Sequence, residues 1–248
     1  MNVNSAFRAR LKRGDRCVGT FVKTAHPAVI EILGVAGFDF LILDAEHAPI
    51  GREGVDHCVL AARAAGITLL VRVPAPTVEW IQTVLDCGAA GVMVPRVSNV
   101  AEASRIAASV GYGPGGRGFS PSTRAAGYGQ RSIKTHLELA REDTVLVIQI
   151  EDPQGVANAN SIAGVPGVDC LFVGPVDLAV ANGLTDPVDA EIMTQCDSVV
   201  REAVASGAAA GVFVPNIRSA ARWEEGGARF LVVGTDQSFL KSGAAAAT

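Results

Sequence analysis

The stretch FDFLILDAEHAPI, residues 38–50, begins with large apolar residues and then delivers Asp44, Glu46 and His47 in quick succession. Two carboxylates and an imidazole are costly to bury without partners. The apolar part repeats elsewhere. Eight segments share its form: CVGTFVK (17–23), FDFLILDAEH (38–47), TLLVRVP (68–74), GVMVPRV (91–97), TVLVIQIED (144–152), DCLFVGPVD (169–177), AAGVFVP (209–215) and RFLVVGTDQ (229–237). Unbroken apolar runs of this length suit strands buried on both faces, as in parallel sheets.

Helical spacing fills the intervals. HPAVIEILGVAG carries Pro27 in its first turn and ends at Gly37. TVEWIQTVLDCGA places Val78, Ile81, Val84 and Leu85 on one face, with Thr77 as cap. NVAEASRIAASVG starts at an Asn cap with Glu102 three positions on, and VDAEIMTQCDSVVREAVASG is the longest such stretch. Strand then helix, eight times and with no composition break, predicts an α/β fold. It is a closed (β/α)8 TIM barrel, one domain over residues 1–248, with 242–248 (SGAAAAT) as a frayed tail. An open doubly wound sheet would show a Gly-rich phosphate turn after the first strand. Here KTAHP follows it.

Composition agrees. The chain has 248 residues, of which 49% are hydrophobic and 19% charged, enough for a large core. A barrel of this type takes roughly 250 residues. A net charge of -4 with scattered basic residues offers no nucleic-acid surface. No apolar run approaches the roughly 20 residues of a membrane helix, and the N-terminus lacks a signal-peptide core. Cys17, Cys58, Cys87, Cys170 and Cys196 form no C-x-x-C pair and read as reduced core thiols of a cytoplasmic protein.

The longest stretch without periodicity is GYGPGGRGFSPSTRAAGYG, residues 111–129. It reads either as a substrate-facing loop or as a surface loop.

Catalytic groups of such barrels stand at the C-terminal ends of the strands. The strand ends supply Lys23; Asp44, Glu46 and His47; Arg72; Arg96; Gln149, Glu151 and Asp152; Asp177; Asn216; and Thr235 and Asp236. Glu151 and Asp177 end adjacent strands and could share a hard divalent cation, or each could pair with a rim arginine. No Cys/His cluster suits zinc. The Arg72 fork suits a carboxylate or enolate oxygen, and His47 is the rim imidazole able to move a proton near neutrality.

FDFLILDAEHAPI, LLVRVP, LDCGAAGVMVPRV, GYGPGGRGF, IQIEDPQGVAN and GVDCLFVGPVDL, in this order, resemble the HpcH/HpaI aldolase family, class II pyruvate aldolases of the phosphoenolpyruvate/pyruvate-binding barrels. The resemblance runs from about residue 19 to residue 236. It implies a metal-dependent aldolase that joins or releases pyruvate and an aldehyde as a 4-hydroxy-2-oxo acid. The metal would be Mg²⁺, Mn²⁺ or Co²⁺ and the assembly a trimer-based hexamer. It also implies roles for single residues. Glu151 and Asp177 match the metal carboxylates, and Arg72 the arginine on the keto oxygen. His47 matches the base, and Asp44 an acid that orders the site. Asp86 matches an acid contributed across a subunit boundary. Gln149, Gly174, Pro175 and Val176 match the pyruvate-binding segment. Phe21 stands where the family commonly has Trp, and Lys23 to His26 replace small polar residues on the aldehyde side.

Lys23 opens a rival mechanism through a Schiff base. A malyl- or citramalyl-CoA lyase or an oxaloacetate decarboxylase would share the barrel and metal. A barrel whose rim serves only binding is the remaining alternative.

Overall fold

The computed structural model describes residues 3–248. Its eight parallel strands are β1 (Cys17–Val22), β2 (Phe40–Asp44), β3 (Thr68–Arg72), β4 (Gly91–Val94), β5 (Val145–Ile150), β6 (Cys170–Val173), β7 (Ala209–Val214) and β8 (Phe230–Thr235). They pair in sequence order, and β8 returns to β1, closing the barrel. The helices are α1 (Val3–Arg13), α2 (Pro27–Val35), α3 (Arg52–Ala65), α4 (Val78–Asp86), α5 (Val100–Val110), α6 (Ile133–Asp143), α7 (Pro153–Ala163), α8 (Pro175–Ala181), α9 (Ala190–Ala205), α10 (Ala221–Glu225) and α11 (Asp236–Ala246).

Alternation along each strand sorts side chains into two cores. In β2, Leu41 and Leu43 join the large outer core against the helices, while Phe40 and Ile42 join the core inside the barrel. Asp44 and Glu46 continue that inner series upward. The inner column of β1 is Cys17, Gly19 and Phe21, and it reaches Lys23 one step past the strand end. Leu70 leads in the same way to Arg72, and Val145 and Val147 to Gln149.

The floor of the barrel is aromatic. Phe40 and Phe230 stack with centroids 4.2 Å apart, and Phe7 of α1 packs 5.2 Å from Phe40. Helix α1 thus plugs the end opposite the strand C-termini. Glycine makes this possible in β1: a Cβ on Gly19 would lie 2.4 Å from the Phe40 ring. Full burial of each ring contributes about 2–3 kcal/mol, which is why the chain spends small residues beside them.

Two expectations need correction. DCLFVGPVD is not strand to its end: β6 stops at Val173, Gly174 is the N-cap of α8, and Pro175 fills its first turn. Proline there loses no hydrogen bond and arrives with a helical φ. Asp177 therefore sits in the first turn of a helix. The segment 242–248, expected as a frayed tail, is helical through Ala246. A capping box between Thr235 and Ser238 starts that helix, and alanines favour its continuation.

The stretch 111–129 follows α5, so it starts at the floor end of the barrel and straps the outside of α3 and α4. The Gly118 N–H donates to Gln82 Oε1 (3.1 Å), Arg117 pairs with Asp86 (3.1 Å), and Arg124 forks onto Asp56. It forms the outer wall of its own chain, away from the rim. All five cysteines are free. Burial pushes the thiols up, to about 11 at Cys17, Cys58 and Cys87 and about 12 at Cys196, as expected of inert core residues.

Candidate active site

Asp44 and Arg72 are register partners at the tops of β2 and β3. The guanidinium forks onto the carboxylate, Nε to Oδ1 at 2.9 Å and Nη2 to Oδ2 at 2.7 Å. Asp44 is fully buried and Arg72 is 5% exposed. Asp44 Oδ1 also accepts the backbone N–H groups of Glu46 and His47. Burial pushes the Asp44 carboxyl up. The Arg72 fork, the His47 amide and nearby Lys23 outweigh that and hold it below the usual carboxylate range. Asp44 therefore fixes both the arginine and the turn that carries His47. Phe21 packs on the other side of Arg72, its ring centroid 4.6 Å from the guanidinium carbon.

Acids crowd the next sector. Glu151 is 7% exposed, and its Oε2 accepts the Arg96 N–H at 2.9 Å while its Oε1 accepts from Gln149 Nε2. Arg96 presents that N–H from a left-handed backbone, φ 57°. Burial, then the charges of Asp177 and Glu46, push the Glu151 carboxyl up to about 7. Glu46 pairs with Arg96 (3.1 Å) and lies 3.6 Å from Arg72 Nε, yet its buried Oε2 has no hydrogen-bond partner. The nearest cation to Glu46 is thus Arg96.

A Glu151 carboxylate disfavoured by the charges of Asp177 and Glu46, beside an orphaned Glu46 oxygen, suits a nearby cation. The donors are all oxygens and the protein supplies only a few of them, which fits a hard divalent ion that keeps water or substrate ligands. Among the described residues no group of three or more His, Cys, Asp or Glu side chains is placed to hold a metal ion, so a cation here would rest on fewer protein ligands.

A cavity of about 220 Å³ opens at this rim, lined by Lys23, His47, Arg72, Gln149 and Asp177 and by the Gly174–Val176 backbone segment. His47 is half exposed, with Nε2 3.7 Å from Glu46 Oε2. Lys23 Nζ lies 3.4 Å from Asp44 Oδ2. Of the expected site residues, Asp86 alone is elsewhere. It ends α4, the helix that descends from the rim to the start of β4, and its carboxylate pairs with Arg117. Burial raises the Asp86 carboxyl, and Arg117 offsets this in part.

Other polar strand ends complete helices: Asp152 caps α7, Asn216 caps the 3-10 turn Ile217–Ala220, and Thr235 caps α11 while also lining the cavity. Asp236 accepts the backbone N–H groups of Lys23 and Thr24.

The sequence reading missed Phe172 and Phe213, which also line the cavity. The signal was available: Phe172 is the register partner of inward-facing Gln149, and Phe213 follows Gly211 by two in β7. A second cavity, about 260 Å³, lies on the outer wall among Arg63, Arg117, Arg124 and His136 and contains no rim residue.

A model of the HpcH/HpaI aldolase/citrate lyase family matches residues 17–242. A hydroxypyruvate/pyruvate aldolase from Paraburkholderia phytofirmans is 35% identical over 241 residues, covering 94% of this chain and 92% of that protein. A 5-keto-4-deoxy-D-glucarate aldolase from Shigella boydii serotype 18 is 34% identical over 238 residues, covering 95% and 92%. Among solved structures, an HpcH/HpaI aldolase/citrate lyase family protein from Burkholderia cenocepacia J2315 shares the fold with TM-score 0.93 at 31% identity. That match covers 98% of this chain and 97% of that one.

Proposed function

The chain belongs to the HpcH/HpaI aldolase/citrate lyase family of carbon–carbon lyases, and from that premise we propose a divalent-cation-dependent aldolase that interconverts a 4-hydroxy-2-oxo acid with pyruvate and an aldehyde. The observation that carries the proposal is the juxtaposition of a fixed guanidinium, Arg72 on Asp44, with a carboxylate cluster that includes a Glu151 pushed up to about 7. The two similar aldolases act on keto acids by name, which agrees with pyruvate as the common half.

Glu151 and Asp177 would hold the cation, and Mg²⁺, Mn²⁺ and Co²⁺ all suit oxygen donors. When bound it would supply Lewis-acid polarisation of the keto oxygen. The chain's own residues do the rest. Val176 and Asp177 open α8 with backbone N–H groups that lack intrahelical partners, and Pro175 contributes none. These are the donors for the pyruvate carboxylate. In cleavage His47 takes the proton of the 4-hydroxyl, and the C3–C4 electron pair moves onto the pyruvate half as an enolate. Arg72 donates to that oxygen as its charge grows. Because Asp44 already holds the guanidinium in place, little reorganisation is needed. A proton added at C3 then gives pyruvate.

A cavity of about 220 Å³ suits two small substrates better than a long thioester. Asp86 would act only if a neighbouring copy, as in a trimer-based hexamer, placed it beside that copy's site. No helix among the described residues is long and apolar enough to cross a membrane.

The test is release of pyruvate from a panel of 4-hydroxy-2-oxo acids. Exhaustive chelation is expected to abolish release, and Mg²⁺, Mn²⁺ or Co²⁺ to restore it. Full turnover by chelated protein would contradict the reading.

A further inference from the structure

The cavity has two chemically different ends. The strands close in sequence order, so β1 stands diametrically across the ring from β5. Asp177, which follows β6, lines one end, and Glu151, which follows the neighbouring β5, stands behind that lining; this acidic end is the one assigned above to the cation and the keto acid. Lys23 follows β1 at the other end. Between them one side of the wall is apolar, with Phe21 6.2 Å from Phe172 and 6.3 Å from Phe213 by ring centroids, and His47 and Arg72 line the other.

Lys23 shares its one carboxylate partner with Arg72. Its nearest carboxylate is Asp44, at 3.4 Å. Both oxygens of Asp44 are already taken by the Arg72 fork, and Oδ1 takes two amides besides. Asp236, the other neighbouring acid, is 8% exposed and holds the backbone N–H groups of Lys23 and Thr24. Neither acid lines the cavity. With a divalent ion at the acidic end, the ammonium at the far end is left as surplus positive charge facing the second substrate. The lysine side chain is 25% exposed, so it can meet a ligand without first being dug out of the core.

We propose that Lys23 determines aldehyde specificity by pairing with a carboxylate on the aldehyde partner, so that the second substrate is a short aldehyde acid. The inference rests on the aldolase reading above. The size of the cavity favours a compact carboxylate over a larger anionic group. A charge-assisted hydrogen bond of this kind corresponds to about ten- to a hundredfold in rate or affinity.

The experiment compares matched aldehydes in condensation with pyruvate, using the intact protein with Mg²⁺ or Mn²⁺. The pairs are glyoxylate against acetaldehyde and succinic semialdehyde against butanal, and the readout is the ratio of kcat/KM, acid over neutral. The native protein is expected to favour the acids. Lys23→Met should lower the ratio about ten- to a hundredfold. Lys23→Arg should keep most of it, and Lys23→Glu should lower it further than Met does. An unchanged ratio in Lys23→Met overturns the inference while leaving the aldolase reading intact. So does a native preference for glyceraldehyde 3-phosphate over every carboxylate. No condensation of pyruvate with any aldehyde by the native protein would overturn both.

Discussion

Replacing Arg72 by alanine is expected to cost activity and stability together. On the catalytic side it removes the donor proposed for the enolate oxygen. Loss of one preorganised donor of this type lowers kcat by about a hundred- to a thousandfold. On the structural side it leaves Asp44 fully buried with neither fork contact. Breaking a buried pair by removing one partner costs about 3–5 kcal/mol, a large part of the marginal stability of a domain. A lysine in its place would restore a positive charge but not the two-pronged geometry. Arg72→Lys should therefore recover much of the stability in urea denaturation and little of kcat. Activity of Arg72→Ala within tenfold of native would remove Arg72 from the mechanism.

Glu151→Gln separates a cation-holding role from a structural one, because the two predict opposite changes in stability. The folded chain raises the Glu151 carboxyl from its ordinary value to about 7, mainly by burial and then by Asp177 and Glu46. A raised carboxyl means that the folded state holds the proton more tightly than the unfolded state. Stability of the cation-free protein therefore falls as pH rises between the ordinary carboxylate range and about 7, and the penalty is complete above it, on the order of 3 kcal/mol. Glutamine is isosteric, can still accept the Arg96 N–H, and carries no charge. In chelator at pH 8 the Gln variant should be more stable than the native protein, by up to about 3 kcal/mol, with little difference at pH 4.

Cation binding should move the other way. Mn²⁺ affinity, read by electron paramagnetic resonance, should drop at least a hundredfold in the variant. In the native protein it should rise with pH up to about 7, since the proton and the cation compete for Glu151. A variant less stable in chelator at pH 8 but normal in Mn²⁺ affinity would make Glu151 a structural residue.

Much of the site was legible in the chain because strand ends are. Asp44 and Arg72 each close an apolar run, and parallel register then sets them side by side without further instruction. Three features were not legible, each for a physical reason. GPVD continues an apolar strand without a break in hydrophobicity, so the helical start at Pro175 is signalled only by proline geometry. The stretch 111–129 has no period to orient it, and its place on α3 and α4 comes from distant ion pairs, Arg117 with Asp86 and Arg124 with Asp56. Polar residues at strand ends looked alike in sequence. Only the caps made by Asp152 and Asn216 separate residues that complete a helix from those that face the cavity, and Thr235 does both.

The central claim is that the rim makes and stabilises a pyruvate enolate with the help of a divalent cation. Proton exchange at the pyruvate methyl in D₂O, followed by NMR with no aldehyde present, tests it most directly. The account predicts exchange with Mg²⁺, Mn²⁺ or Co²⁺ and none above the uncatalysed rate after exhaustive chelation. Exchange at full rate in chelator, or none with any of the three ions, would contradict it.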